Sequence, residues 1–321
     1  MQEIKKLIEQ APGELDVKMS ASMSHLGTFR LGGNCALLID CKQASQVPLA
    51  IDFCQAHELP FQFIGGGSNI LFSDADYDAV LIRYLNPDLV IEELEDGLKV
   101  SAAGNLDQAA EWMAEQGWDG LMCLTGIPGT IGGAIAGNAG AWGEQVGDKI
   151  MHVELIDRQG NICTLKQSEL GFVYRNSRIK EEGWLVLSAT LKLHRSDPAN
   201  LLEQREKILL QRAEKHPDLT TTPCIGSIFR NIEPSSSAER RQAAGYFLEQ
   251  AGAKKLSVGG AKLFEKHANI IIAEPGARAQ DVCELHKLMI AAVEEKFDFS
   301  LKREVRFLGS FEGEPAHEGF W

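Results

Sequence analysis

The sequence has no CxxC pair among its seven cysteines, which are odd in number and scattered from Cys35 to Cys283. Neither a disulfide framework nor a zinc knuckle is encoded, no metal constellation of His and Cys is evident, and a reducing compartment fits best. A basic excess is also missing: 32 Lys and Arg stand against 45 Asp and Glu, a formal charge of −13. General electrostatic affinity for nucleic acid or an anionic membrane is thereby disfavoured, although a local basic pocket is not. No apolar run approaches a membrane span, and the opening MQEIKKLIEQAPGELDVK has no signal-type core. A cytoplasmic protein with no nucleic-acid or membrane partner is therefore expected. Pro 11 and Gly 31 are too few for a collagenous or low-complexity chain, and no repeat of solenoid period occurs. What is present is 321 residues with 44% hydrophobic and 24% charged, enough for two or three packed units.

Periodicity places those units. A helix is predicted over 44–58, with Val47, Ala50, Ile51 and Cys54 on one face and Pro48 near the first turn. Short apolar runs at Leu37–Ile39, Phe61–Ile64 and Ala79–Arg83 read as its strands. Lys99–Ala103 reads as a strand, and Asn105 with Gln108 as the capped start of a helix carrying Leu106, Ala109, Ala110 and Met113 and stopping near Gly117. Alternation at Met151, Val153 and Leu155, and again from Leu185 to Leu193, marks strands of an α+β middle unit. A charged amphipathic helix over 197–216 then opens a last segment with a helix near 243–251, a strand at 269–272 and a periodic helix through Val282, Leu285, Leu288, Met289, Ala292 and Val293. These patterns set units of 1–85, 86–200 and 201–311, followed by a tail of 312–321 that either ends free or docks through Phe320 and Trp321. Only Ser235–Ser237 hints at a low-complexity loop.

Two glycine-rich segments carry the strongest chemical signal: GGGSNIL at Gly65–Leu71 and GIPGTIGGAIAGNAGAWG at Gly126–Gly143. Without a Cβ in the way, successive N–H groups can close on a phosphate, and Ser68 and Asn69 add side-chain donors. A pyrophosphate is the natural guest, with Gly65, Gly66, Gly67, Ser68, Asn69, Gly126, Ile127, Pro128, Gly129, Gly132, Gly133 and Asn138 as candidate cofactor contacts. The plain alternative is two tight turns that need positive φ. There is no GxxxxGK[ST], and the second segment does not open a first βαβ unit with an acid downstream, so P-loop and Rossmann readings fail.

TFRLGG at Thr28–Gly33, the two glycine segments, YRNSR at Tyr174–Arg178, GSIFRN at Gly226–Asn231, GGAKLFEKHAN at Gly259–Asn269 and EVRFLG at Glu304–Gly309 run in one order along the chain. In that order and spacing they resemble the UDP-N-acetylenolpyruvoylglucosamine reductase family over residues 28–309. The resemblance implies an α+β fold: two FAD-binding subdomains of the vanillyl-alcohol oxidase/PCMH type plus an α+β substrate-binding domain. It also implies a reaction in peptidoglycan precursor synthesis. Hydride would pass from NADPH through FAD to C3 of UDP-N-acetylglucosamine enolpyruvate, and protonation at C2 would give UDP-N-acetylmuramate.

Three residues match the family's catalytic positions. Hydride addition builds negative charge on the enolpyruvyl carboxylate, so a fixed cation beside it and a proton donor near C2 are required. By resemblance Arg175 is that cation, Ser227 the donor, and Glu304 a desolvated carboxyl kept protonated. Tyr174, Arg212, Lys215, Arg230, Asn231 and His267 are the substrate-binding candidates, a local set of donors for an anionic UDP-sugar in an acidic protein. The chain departs from the family pattern at Arg303, where proline is usual, at Phe264, where serine is common, and at Ala273, where asparagine is common. The Asn138–Gly140 run and the lack of a long tyrosine-bearing insertion look like the shorter, type II form. The glycine loops hold no histidine for covalent attachment, and His25 is read as structural or solvent-facing, so FAD is expected to be dissociable. A monomer is compatible with the chain. Two other readings are an FAD oxidase of an alcohol or sugar, and a silent flavin or UDP-sugar sensor; the Ser227, Arg175 and Glu304 motifs weigh against both.

Overall fold

In the computed structural model, which describes residues 7–234 and 240–314, the predicted elements assemble into three layered units. Ser235–Ser237, Phe320 and Trp321 lie outside the described residues. The first unit holds β1 (Asp16–Ser22), β2 (Asn34–Cys41), α1 (Gln46–Ala56), β3 (Phe61–Ile64), β4 (Ile70–Phe72) and β5 (Tyr77–Tyr84). Its sheet has the order β1-β2-β5-β3, with β1 antiparallel to β2 and both β2 and β3 parallel to β5. Strands β2 and β5 are almost wholly buried, which is why they read as continuous apolar runs. The face of α1 predicted from its spacing, Val47, Ala50, Ile51 and Cys54, is the one that is buried.

The second unit contains β6 (Ile91–Leu94), β7 (Gly97–Ser101), α2 (Leu106–Glu115), α3 (Ile131–Ala136), β8 (Ile150–Ile156), β9 (Ile162–Lys166), α4 (Arg178–Glu181) and β10 (Leu185–Lys192). Its five strands form an antiparallel sheet in the order β9-β8-β10-β7-β6. The cap read from the sequence is present: Asn105 Oδ1 accepts from the Gln108 N–H at 3.0 Å and starts α2. One hydrophobic cluster runs from Leu37 and Val80 through Leu98 to Leu187 and Leu193, so the two units share a core.

Helix α5 (Pro198–Lys215) begins at an Asp197 cap with proline in its first turn. Sequence places this helix with the last unit, but its buried Leu201 packs with Ala110, Ala114 and Met122 of the second. Arg205 adds a two-toothed ion pair to Asp107 at 2.6 and 2.9 Å. The third unit follows with β11 (Cys224–Ser227), α6 (Ala244–Gln250), β12 (Ser257–Val258), β13 (Ala261–Phe264), β14 (His267–Ala273), α7 (Ala279–Phe297) and β15 (Arg306–Leu308). Its antiparallel sheet has the order β11-β14-β13-β12, and α7 buries Val282, Leu285, Met289 and Val293, while Leu288 of the predicted face is 44% exposed. Its separate core also takes in Phe29 and Leu71 from the first unit.

The chain then returns: β15 pairs in parallel with β4, Arg306 opposite Ile70 and Leu308 opposite Phe72. That crossing places Glu304 beside the end of the first glycine loop, where the Arg306 N–H donates to Asn69 O at 3.0 Å. Arg303, one of the departures from the family pattern, stacks over Phe307 at 3.9 Å and pairs with Glu314 at 3.0 Å, tying the end of the described chain to the third core. Cys283 and His286 lie against the same Glu314, whose charge is already answered by Arg303 and Lys287. All seven cysteines are free, and six are buried.

Buried Asn269 holds the segment after Ser227 in register. Its Oδ1 accepts from the Phe229 N–H at 3.0 Å and its Nδ2 donates to Phe229 O at 2.8 Å. Asn269→Ala leaves both backbone groups unpaired in the core and should cost about 1–3 kcal/mol. Urea unfolding should show a lower midpoint at an unchanged slope.

Candidate active site

The two glycine segments, far apart in sequence, touch. A Cβ on Gly66 would lie 3.0 Å from Gly129 Cα, and one on Gly65 2.6 Å from Thr130 Oγ1. Ser68 Oγ donates to Pro128 O at 2.9 Å. Gly129 has φ +122°, and its absent Cβ would meet Ser68 Oγ at 2.6 Å. The glycines are needed for this close approach, so Ser68 serves as a loop clasp. Thr130 Oγ1 accepts from the Gly133 N–H and starts α3 directly after the second loop. Beside Gly66, a cavity of about 350 Å³ is lined by Gly27, Thr28, Arg30, Arg83, Leu85 and Leu219, with exposed His25 at its edge. Its walls come from the first unit and from the segment after α5, joined where Arg30 Nη2 donates to Leu219 O at 2.7 Å and Thr28 Oγ1 to Cys224 O at 2.7 Å. This cradle fits a flavin dinucleotide: glycine backbone can close on a pyrophosphate, and the adjoining cavity extends from it.

The far end of the second loop is braced from α5. Arg212 Nε donates to Gly126 O at 3.1 Å, and Asp107 accepts from the Gly126 N–H at 2.6 Å. Burial would raise the Asp107 carboxyl, but the bonds from Arg205 and Gly126 hold it below its ordinary range. Exposed Lys215 and half-buried His267 lie on this side, the His267 ring 5.6 Å from that of His216. Burial and the neighbouring Arg212 push His216 down to about 4, and burial lowers His267 too, so both rings are neutral at pH 7.

The remaining candidates meet where the second and third units join. Arg175 Nε is 3.0 Å from Glu304 Oε1. Arg175 has φ +56°, a left-handed conformation that costs a non-glycine residue roughly 1 kcal/mol or more. The loop that imposes it is locked by Asn138, 1% exposed, whose Nδ2 donates to Val173 O at 2.8 Å and whose Oδ1 accepts from the Gly147 N–H at 3.0 Å. Sequence reasoning counts Asn138 among the cofactor contacts; its side-chain amide is bonded to Val173 O, Gln145 Oε1 and the Gly147 N–H. Asn231 is exposed, its Oδ1 accepting from the Ala244 N–H and its own N–H donating to Tyr174 Oη.

Ser227 ends β11 opposite Ile270. The Glu304 N–H donates to Ile228 O at 2.8 Å, so the serine strand runs beside the glutamate segment. No hydrogen bond of the Ser227 hydroxyl occurs among the described residues, which leaves it free to turn toward a ligand. Glu304 keeps 19% of its side-chain surface; burial raises its carboxyl above the ordinary range, against the pull of Arg175, Lys180 and Arg230. The buried Arg230 Nε has no hydrogen-bond partner among the described residues.

Two charged residues here escape sequence reasoning. Lys180 is 7% exposed and Arg306 8% exposed. Desolvation, with Arg230 next, pushes the Lys180 ammonium down to about 8, and burial lowers Arg306 to about 10. Both read as surface charges, Lys180 in a lysine-glutamate run and Arg306 on an alternating strand, and only tertiary packing buries them.

The cradle makes a direct prediction. Gly129→Ala should fold but bind FAD roughly tenfold or more weakly, a loss of about 1.4 kcal/mol or greater. Flavin fluorescence titration of the stripped protein measures this, with circular dichroism as the check on folding.

The comparisons with known proteins bear on both halves of the molecule. Residues 35–166 match the FAD binding domain, and residues 216–308 match the C-terminal domain of UDP-N-acetylenolpyruvoylglucosamine reductase. The chain is 35% identical over 303 residues to the UDP-N-acetylenolpyruvoylglucosamine reductase of Synechococcus sp. (strain JA-3-3Ab), covering 92% of each protein. The enzyme of the same name from Gloeobacter violaceus is 35% identical, covering 90% of this chain and 95% of its own. Among solved structures, the UDP-N-acetylenolpyruvylglucosamine reductase of Thermus caldophilus superimposes with a TM-score of 0.74 at 26% identity, over 92% of this chain and 99% of that one. With its flavin cradle and its Arg175, Ser227 and Glu304 cluster, the chain belongs to the UDP-N-acetylenolpyruvoylglucosamine reductase family.

Proposed function

We propose that the chain reduces UDP-N-acetylglucosamine enolpyruvate to UDP-N-acetylmuramate in the cytoplasm, using NADPH and non-covalent FAD. The observation that carries the reading is the meeting of Arg175, Ser227 and Glu304 at one junction, next to the end of the flavin cradle. FAD, when bound, supplies the hydride relay; the rest of the chemistry falls to side chains. No helix among the described residues is long and apolar enough to cross a membrane, which suits a reaction on a water-soluble UDP-sugar.

The acidic chain receives an anionic substrate through a local field. Arg175, Lys180 and Arg230 act on one acid, Glu304, so the site is cationic while the whole carries −13. In a partly desolvated cleft these charges act more strongly than in water. Arg175 presents a planar fork to the enolpyruvyl carboxylate and stabilises charge that develops there during hydride addition. Glu304, its carboxyl raised above the ordinary range by burial, donates a hydrogen bond to the same carboxylate when protonated. Ser227 then delivers its hydroxyl proton to C2; the strongly basic enolate makes a weak acid sufficient.

Tyr174, Arg230 and Asn231 serve the substrate at this junction. Tyr174 is held between Arg241, 4.0 Å above its ring, and the Asn231 N–H. Arg212, Lys215 and His267 stand along the α5 side, toward the diphosphate and its sugar. Phe264 pairs directly with His267 at the hairpin end, and the serine-to-phenylalanine departure thus alters the wall beside that histidine. The tight Asn138–Gly140 turn supports the shorter, type II reading.

Spectroscopy of the purified yellow protein tests the assignment. Under anaerobic conditions NADPH should bleach the flavin absorbance, and the enolpyruvyl sugar alone should restore it. Oxygen restoring it as fast would instead favour an oxidase. Ser227→Ala should keep flavin reduction by NADPH and slow reoxidation by the enolpyruvyl substrate by about 10²-fold or more, the usual scale for a lost proton donor. Equal loss of both steps in a folded, flavin-loaded variant would remove Ser227 from the donor role.

A further inference from the structure

Arg303, the residue before Glu304, is held through both its backbone and its side chain. It forms an antiparallel bridge with Phe229, flanked by two bonds: the Arg230 N–H donates to Lys302 O at 2.9 Å, and the Glu304 N–H to Ile228 O at 2.8 Å. Neither bond uses the Arg303 N–H. Successive side chains of an extended segment leave on opposite faces. Here Arg303 turns toward Phe307 and Glu314, while Glu304 turns to Arg175 at 3.0 Å. Anchoring the first side chain therefore constrains the direction of the second.

The anchor is Glu314. Its Oε2 pairs with Arg303 Nη1 at 3.0 Å, and the same guanidinium lies 3.9 Å from the centre of the Phe307 ring. Glu314 is itself moored to α7. Lys287 Nζ is 3.3 Å from its Oε1 and donates to Gly313 O at 2.9 Å, and Gln280 Oε1 accepts from the Glu312 N–H at 3.0 Å. Only 21% of the Arg303 side chain and 16% of the Glu314 side chain are exposed, so this pair is screened by water less than a surface bridge. Burial would raise the Glu314 carboxyl, but the bonds from Lys287 and Arg303 hold it below its ordinary range, so it is charged at neutral pH.

We propose that Glu314 and Arg303 are positioning residues that form a latch: the carboxylate holds the Arg303 guanidinium against Phe307 and α7, and the segment so fixed presents Glu304 to Arg175 and to the substrate carboxylate. The inference rests on the reductase reading and deepens it. The end of the described chain thereby takes part in the chemistry through Arg303. Position 303 is one where the family pattern has proline, whose ring fixes φ covalently. In this chain an ion pair and a ring contact replace that covalent restraint. Because neither bridge bond uses the Arg303 N–H, proline can stand at 303 without breaking the bridge.

Single-turnover measurement of the two half-reactions in the FAD-loaded protein tests the latch. Glu314→Ala and Arg303→Met should each keep flavin reduction by NADPH at the wild-type rate. Each should slow reoxidation by UDP-N-acetylglucosamine enolpyruvate roughly tenfold, the scale of a small misplacement of a reacting group. Combined, they should be no slower than either alone, because both remove the same contact. In an Arg303→Pro background, Glu314→Ala should have no effect on reoxidation. The proposal is overturned by wild-type reoxidation in either single variant, by equal slowing of both half-reactions, or by the same tenfold loss in the proline background. If one single variant does not retain flavin, the other decides by the same split between half-reactions. A wild type that NADPH reduces and the sugar does not reoxidise would strike instead at the reductase reading itself.

Discussion

The ion pair between Arg175 and Glu304 is the interaction on which the rest of the arrangement depends. It joins a loop of the second unit to a segment that reaches the site only after the third unit has been completed. Each partner is forced into place by a separate device. Arg175 is held in a left-handed conformation by the Asn138 clamp, and Glu304 is fixed by the pairing of β15 with β4 and by its own N–H on Ile228 O. A strained loop and a buried carboxyl both persist because the surrounding structure over-determines them, the usual condition for a preorganised charge site.

The same returning segment links the chemistry to the cofactor. Asn69 closes the first glycine loop and receives the Arg306 N–H, two residues beyond Glu304. The first loop in turn interlocks with the second through Ser68 and the bare backbones of Gly66 and Gly129. Cofactor cradle and Glu304 are thus parts of one hydrogen-bonded framework. The helix α5 adds a brace from outside, since Asp107 answers Arg205 and Gly126 at once.

Much of this was legible from the chain. The Asn105 cap of α2 and the buried faces of α1, α2 and, Leu288 apart, α7 lie where spacing put them, because amphipathic patterns and capping residues are local signals. The glycine segments announced a close backbone approach, and motif order carried the family. What stayed hidden was tertiary. Lys180 and Arg306 are ordinary charges in sequence and become buried only when three units converge. The return of β15 to β4 joins strands from opposite ends of the chain, and no local pattern encodes a partner so distant. Asn138 has a role that its place inside a glycine-rich motif does not signal: its amide bonds to Val173, beside the Arg175 loop, and to Gly147.

The central claim is that this junction is built for a carboxylate. Calorimetric titration of the oxidised FAD-loaded protein with the enolpyruvyl UDP-sugar and with its neutral carboxamide measures that directly. Loss of charge-assisted hydrogen bonds worth about 1.5–3 kcal/mol should weaken the carboxamide by roughly ten- to a hundredfold. Equal affinity for the two would show that Arg175 and its neighbouring cations do not receive the carboxylate, and would contradict the account.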